Sequence, residues 1–184
     1  MLTPREVEQN AIRFSTEWKD ESREKAEAHS FWDAFFDVFG LSRRRLASFE
    51  EPAKKFDGRR GSIDLFWKGK LLVEHKSKGE NLDAAYTQGL DYFAGISEED
   101  LPKYVLVSDF ARFRLYDLEE HDSKPDEFPL EKFHENLHLF NFILGWETRK
   151  VVDEAPVNIR AAELMGQLHD ALKASGYTGH PLVP

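Results

Sequence analysis

Asp64, Glu74 and Lys76 are the residues of this chain whose types and spacing point to chemistry. Asp64 lies in Ser62-Ile-Asp-Leu-Phe-Trp67 and the other two in Leu71-Leu-Val-Glu-His-Lys76, β-prone runs separated by Lys68-Gly69-Lys70. That pattern predicts a hairpin. Glu74 and Lys76 are two apart and share one face of a pleated strand, and Asp64 can meet them across the turn. A carboxylate pair suits a hard divalent cation such as Mg²⁺ or Mn²⁺, with the backbone carbonyl of His75 as a further oxygen ligand and the His75 ring on the opposite face. An ammonium beside the cation can orient or help deprotonate an attacking water and offset charge on a reacting phosphate. The plainer alternative is a cross-strand charge cluster on a solvated sheet, worth ~0.2–1 kcal/mol. Against it, Glu74 follows Leu71-Leu72-Val73, a run that reads as buried, where idle charges are costly.

The elements that must position these groups are legible in outline. A helix is predicted from Thr3 to Glu27, with Thr3 and Glu6 forming a capping box around Pro4. A second, apolar around most of its circumference, runs from about Ser30 to Phe39 and stops at Gly40. After the hairpin come a helix from about Asn81 to Phe93, a buried strand Tyr104–Ser108 and an alternating strand Arg112–Tyr116. Glu119 to Pro129 reads as a loop, Leu130 to Trp146 as a helix, Glu147 to Pro156 as a boundary, and Asn158 to Ser175 as a last amphipathic helix ended by Gly176. The order strand, strand, helix, strand, strand implies an α/β fold, a mixed sheet flanked by helices.

Composition narrows the function. The chain has 184 residues, 13% of them aromatic, enough for one compact core, and no cysteine, which excludes disulfides, Cys-ligated zinc and a cysteine nucleophile. No uncharged stretch approaches the ~20 residues needed to cross a bilayer, and the amino terminus has no secretory pattern, so a cytoplasmic protein with no membrane partner is expected. The net charge of −9 is unevenly spread: residues 43–78 hold eleven Lys/Arg against five acids, a local excess of +6 that leaves −15 for the remainder. A basic segment in an acidic protein suits a polyanion, with a solvated loop fringing the sheet as the plainer alternative, and Lys54, Lys55, Arg59, Arg60 and Lys78 are available to contact phosphates. His134 and His138, four apart without a third ligand nearby, read as surface or packing residues.

Gly61-Ser-Ile-Asp64, nine residues, then Glu74-His-Lys-Ser77 resembles the PD-(D/E)XK nuclease pattern, with Ile63 in place of the proline. Gln88-Gly-Leu-Asp-Tyr92 resembles the QxxxY element of RecB-like nucleases, its two polar residues on one helical face. The likeness is nearer to one branch. Glu8–Phe14 with Trp18-Lys19, Leu71–Tyr92, Val107-Ser-Asp-Phe-Ala-Arg-Phe113, and Ala161–Leu172 with Ser175–His180 look like the amino-terminal part of MmeI-like type IIG/IIL restriction–modification proteins.

That resemblance implies a PD-(D/E)XK restriction-endonuclease-like nuclease domain over residues 1–150 and the start of a helical spacer over 151–184. It implies catalysis by Asp64, Glu74, Lys76, Gln88 and Tyr92, a metal held by Asp64, Glu74 and the His75 carbonyl, and double-stranded DNA as substrate. An S-adenosylmethionine-dependent methyltransferase and a target-recognition domain belong to the remainder of such proteins; neither is expected within these residues, which would make this a fragment or a stand-alone relative. Cutting both strands calls for two sites, hence a dimer on DNA. Superfamily members often add an acid from a preceding helix, for which Glu8, Glu17 and Asp33 are candidates, the first two slightly favoured. Two other readings stay open: a noncatalytic DNA- or partner-binding module, and a RecB-like exonuclease or junction nuclease.

Overall fold

In a computed structural model that describes residues 2–120, 124–145 and 164–167, the chain is a six-stranded mixed sheet with helices on both faces. Helix α1 (Pro4–Trp18) opens with the expected capping box: the Thr3 hydroxyl accepts from Glu6 N–H while the Glu6 carboxylate accepts from Thr3 N–H at 2.7 Å. It stops far short of Glu27, because the Glu21 carboxylate accepts both the Ser22 and Arg23 amides at 2.8 Å and turns the chain. Helix α2 (Glu24–Val38) therefore begins earlier than its apolar run suggests, and ends as expected at Gly40, whose φ is +70°.

The strands are β1 (Ser48–Lys54), β2 (Arg60–Trp67), β3 (Leu71–His75), β4 (Tyr104–Ser108), β5 (Arg112–Asp117) and β6 (Asp126–Pro129), in that spatial order. Only the β3–β4 pair is parallel, and helix α3 (Leu82–Asp91) makes the crossover between them. The expected hairpin is the β2–β3 pair. The two strands absent from the sequence reading, β1 and β6, are the sheet's edges. Each carries a proline, Pro52 and Pro129, tolerated at an edge where no ladder partner is needed on one side.

The predicted helix from Leu130 to Trp146 is instead a 3-10 segment, Leu130–Phe140, broken at Asn136 (φ −109°, ψ 17°) and followed by the short α4 (Asn141–Leu144). Its apolar anchors Leu130 and Phe133, then Leu137 and Phe140, recur at three residues, which suits a helix of three residues per turn. α3 is likewise shorter than expected and ends in a 3-10 turn, Tyr92–Gly95. Of the last predicted helix, residues 164–167 are helical, with Leu164 and Met165 against the α3-side core; the rest, and the 150/151 boundary, lie outside the described residues.

Two cores explain the strand sequences. On one face α1, α2 and the 3-10 segment bury Phe14, Phe31, Phe35, Phe113, Phe133 and Phe140 against Leu71 and Val73; on the other, α3 covers Leu72, Val105 and Val107. β3 is buried on both sides, hence its unbroken apolar run. The alternation fixes where the next two side chains go: Glu74 follows Leu72 to the α3 side, and His75 follows Val73 to the α1/α2 side. Among the described residues no helix is long and apolar enough to cross a membrane.

Candidate active site

The β2–β3 ladder ends at Leu65 opposite Val73, and the strands part there. One step on, Asp64 puts a carboxylate oxygen 2.6 Å from the His75 amide, so a side chain takes a donor left by the parting backbones. On the other side of β3 the parallel register with β4 holds, and Lys76 N–H donates to the Ser108 carbonyl at 2.8 Å. Asp64, Glu74 and Lys76 are thus fixed where an antiparallel pair splits beside a parallel one.

Glu74 is completely buried and Lys76 is about three-quarters buried (23% exposed), with 3.7 Å between Lys76 Nζ and Glu74 Oε2. Gln88, from α3, joins them: its amide nitrogen donates to Glu74 Oε2 at 2.6 Å and its oxygen accepts from Lys76 Nζ at 2.9 Å. Tyr92, one turn on, is buried beside Gln88, and burial followed by the nearby Glu74 charge pushes its phenol upward. All five predicted catalytic residues converge.

The His75 ring faces the opposite core, as expected. It is 4.3 Å from the Phe110 ring and packs on Phe31 and Trp32, with both nitrogens buried and without a hydrogen-bond partner. Burial pushes its pKa down to about 3, so the ring is neutral, and only its backbone carbonyl is available to the carboxylate side.

Burial, then the neighbouring Asp64 charge, raises the Glu74 carboxyl to about 8 despite Lys76 and Lys55. Glu74 Oε1 is buried and has no hydrogen-bond partner. An orphaned carboxylate oxygen beside a second carboxylate is a donor set that fits a hard cation, and a bound cation would satisfy that oxygen. Asp64, Glu74 and the His75 carbonyl are the groups that would hold one.

Among the described residues no three His, Asp or Glu side chains are grouped to hold a metal. Asp33 is engaged by Arg43 at 2.8 Å, Glu8 is exposed on α1, and Glu17 lines an open recess with Trp18, Asp20, Glu21, Arg23 and Glu27. The candidate DNA contacts fall in two places. Lys54, Lys55, Arg59 and Arg60 surround the β1–β2 turn, whereas Lys78 follows Lys76 and donates to the Lys19 carbonyl at 3.4 Å. His134 lies 3.9 Å from the Glu135 carboxylate, away from this constellation.

The model of the MmeI N-terminal domain matches residues 9–175. The chain belongs to that family. No curated protein and no solved structure matches. Membership in the MmeI N-terminal family makes this the amino-terminal domain of a type II restriction–modification protein, and the convergent side chains lie inside the matched region.

Sequence reasoning missed a group that supports the site. Asp109, fully buried in the β4–β5 turn, accepts from Gly79 N–H at 3.0 Å, from Arg112 N–H at 2.9 Å and from Arg112 Nη2 at 2.8 Å; Arg112 also donates to the Glu80 carbonyl. This clamp ties down the loop that leaves Lys76. Asp109 and Arg112 stand in the Val107–Phe113 run that carries the family likeness, and that was the only signal they gave. A second missed residue is Asp91, which accepts the Phe56 amide through its carbonyl at 3.0 Å and its carboxylate at 3.1 Å and so anchors the basic turn near the site.

Proposed function

We propose that this domain is a Mg²⁺-dependent DNA endonuclease with a PD-(D/E)XK site, the cleaving part of a restriction–modification enzyme. The observation that carries the reading is the pairing of a fully buried Glu74, one oxygen unsatisfied, with Asp64 and with a lysine that Gln88 holds in place. A buried, unfilled carboxylate is costly in a purely structural role.

Asp64, Glu74 and the His75 carbonyl would hold the cation. When bound, Mg²⁺ acidifies water and shields the charge that builds on the phosphate oxygens. Lys76, restrained by Gln88, orients the attacking water for in-line displacement at phosphorus, and no covalent enzyme intermediate is needed. Tyr92 closes the apolar side of the site and keeps Gln88 in place. The basic residues of the β1–β2 turn and Lys78 engage duplex phosphates without reading bases, which assigns sequence recognition and methyl transfer to other domains of such proteins. Cleavage of both strands would use two copies on one duplex.

The decisive experiment compares wild type, Asp64→Ala and Lys76→Ala on closed circular DNA in Mg²⁺ or Mn²⁺. Wild type should nick or linearise the circle, and each variant should lose about 10³-fold in rate while remaining folded. Cleavage by Asp64→Ala at the wild-type rate would overturn the site assignment, duplex binding without any cleavage by wild type would leave a DNA-binding module, and activity confined to DNA with ends would leave an exonuclease.

A further inference from the structure

The sequence places Lys55 among several surface cations; the tertiary structure separates it from them. Lys54, Arg59 and Arg60 are exposed, whereas Lys55 is only 22% exposed at its side chain. The β1–β2 turn that carries it is fixed on both sides: Lys55 N–H donates to the Arg59 carbonyl at 2.8 Å, Gly58 N–H returns to the Lys55 carbonyl at 2.9 Å, and Phe56 N–H is held by Asp91. The Lys55 ammonium lies 5.0 Å over the Tyr92 ring and 3.9 Å from an Asp91 oxygen, too far for a direct hydrogen bond.

Gly61 leaves the room. A β-carbon there would come within 2.7 Å of the Tyr92 hydroxyl oxygen and 3.0 Å of Lys55 Cε, so the missing side chain lets tyrosine and lysine lie together against β2, three residues before Asp64. Two lysines from different elements therefore bracket the Gln88–Tyr92 face of the helix, Lys76 tied to Gln88 and Lys55 resting on Tyr92.

We propose that Lys55 is a second catalytic lysine, whose ammonium contacts the phosphate being cleaved and stabilises the charge that develops on it, while Lys54, Arg59 and Arg60 only tether the duplex. The inference rests on the nuclease reading. A phosphate entering beside the acidic pair carries negative charge that grows as its bond to the leaving oxygen breaks, and a partly buried cation resting on Tyr92 stabilises that charge where water screens least.

The test measures single-turnover cleavage at saturating duplex DNA in Mg²⁺, and duplex affinity without divalent metal, for wild type, Lys55→Met, Lys55→Arg, Lys54→Met and Asp64→Ala. Lys55→Met should cleave about 10²-fold more slowly at saturation. It should lose no more metal-free affinity than Lys54→Met and keep the wild-type melting temperature. Lys55→Arg should recover part of the rate, since the charge is retained, and Lys54→Met should lose metal-free affinity. Lys55→Met cutting at the wild-type rate at saturation, or losing affinity alone, would overturn the proposal and leave the nuclease reading standing. Asp64→Ala cutting like wild type would overturn the nuclease reading itself, whatever Lys55→Met does.

Discussion

Gln88 donates to the Glu74 carboxylate at 2.6 Å from one end of its amide while the other end accepts from Lys76 at 2.9 Å. A carboxamide does both, because it carries a donor and an acceptor on one rigid plane. Gln88→Ala should leave Lys76 mobile and the second Glu74 oxygen unpaired, lowering the cleavage rate about 10–100-fold with little change in DNA affinity. Gln88→Glu should cost more, since it sets a like charge against Glu74. Weaker Mg²⁺ binding in calorimetry would show that difference directly.

Glu74 makes the stability of the metal-free domain depend on pH. Its carboxyl is raised from 4.5 to about 8 in the folded chain, so between those values the native state holds a proton that the unfolded state has released. Stability then falls as pH rises through that window and levels off above about 8. The melting temperature in EDTA should drop between pH 5 and 8, and Glu74→Gln should flatten the curve and melt higher than wild type at pH 8.5.

A metal held by Glu74 would have to displace that proton. Mg²⁺ affinity should therefore rise with pH up to about 8 and flatten above it. Added Mg²⁺ should raise the melting temperature of wild type at pH 8.5 and leave that of Glu74→Gln unchanged. A pH-independent Mg²⁺ affinity would remove Glu74 from the ligand set.

The Asp109–Arg112 pair sets a fully buried carboxylate against a partly exposed guanidinium, with four of its contacts on the two loops it joins. Asp109→Ala strands the Gly79 amide and leaves Arg112 without its partner, which should cost about 3 kcal/mol in urea unfolding. At temperatures where the variant stays folded its cleavage rate should still be reduced, because the loop that follows Lys76 has lost its anchor.

Gly95 should not tolerate a methyl group. A β-carbon there would run into the Lys54 carbonyl oxygen and the Lys54 nitrogen, and backbone cannot rotate away as a side-chain tip can. Gly95→Ala should cost about 1–3 kcal/mol and push the β1–β2 turn off the end of α3. A rate defect larger than that of Lys54→Met would tie the turn's position to catalysis.

The linear chain determined the groups that could act and the strands that carry them. Asp64, Glu74 and Lys76 owe their alignment to a period of two and a short turn, and the alternation that buries Leu72 and Val73 on opposite faces also sends Glu74 and His75 opposite ways. The four-residue step from Gln88 to Tyr92 set both on one side of α3. These are local relations, fixed by backbone geometry within a few residues.

What only the tertiary structure decided lies between segments distant in sequence. The parting of β2 from β3 that lets Asp64 take the His75 amide, the docking of α3 that brings Gln88 onto Glu74, the hold of Asp109 on Gly79, and the approach of Lys55 to Tyr92 each depend on packing across 11 to 37 positions. No periodicity encodes such meetings. The edge strands β1 and β6 escaped notice for a related reason: half-exposed and interrupted by proline, they are strands because a neighbour offers them a ladder, not because their own residues demand one.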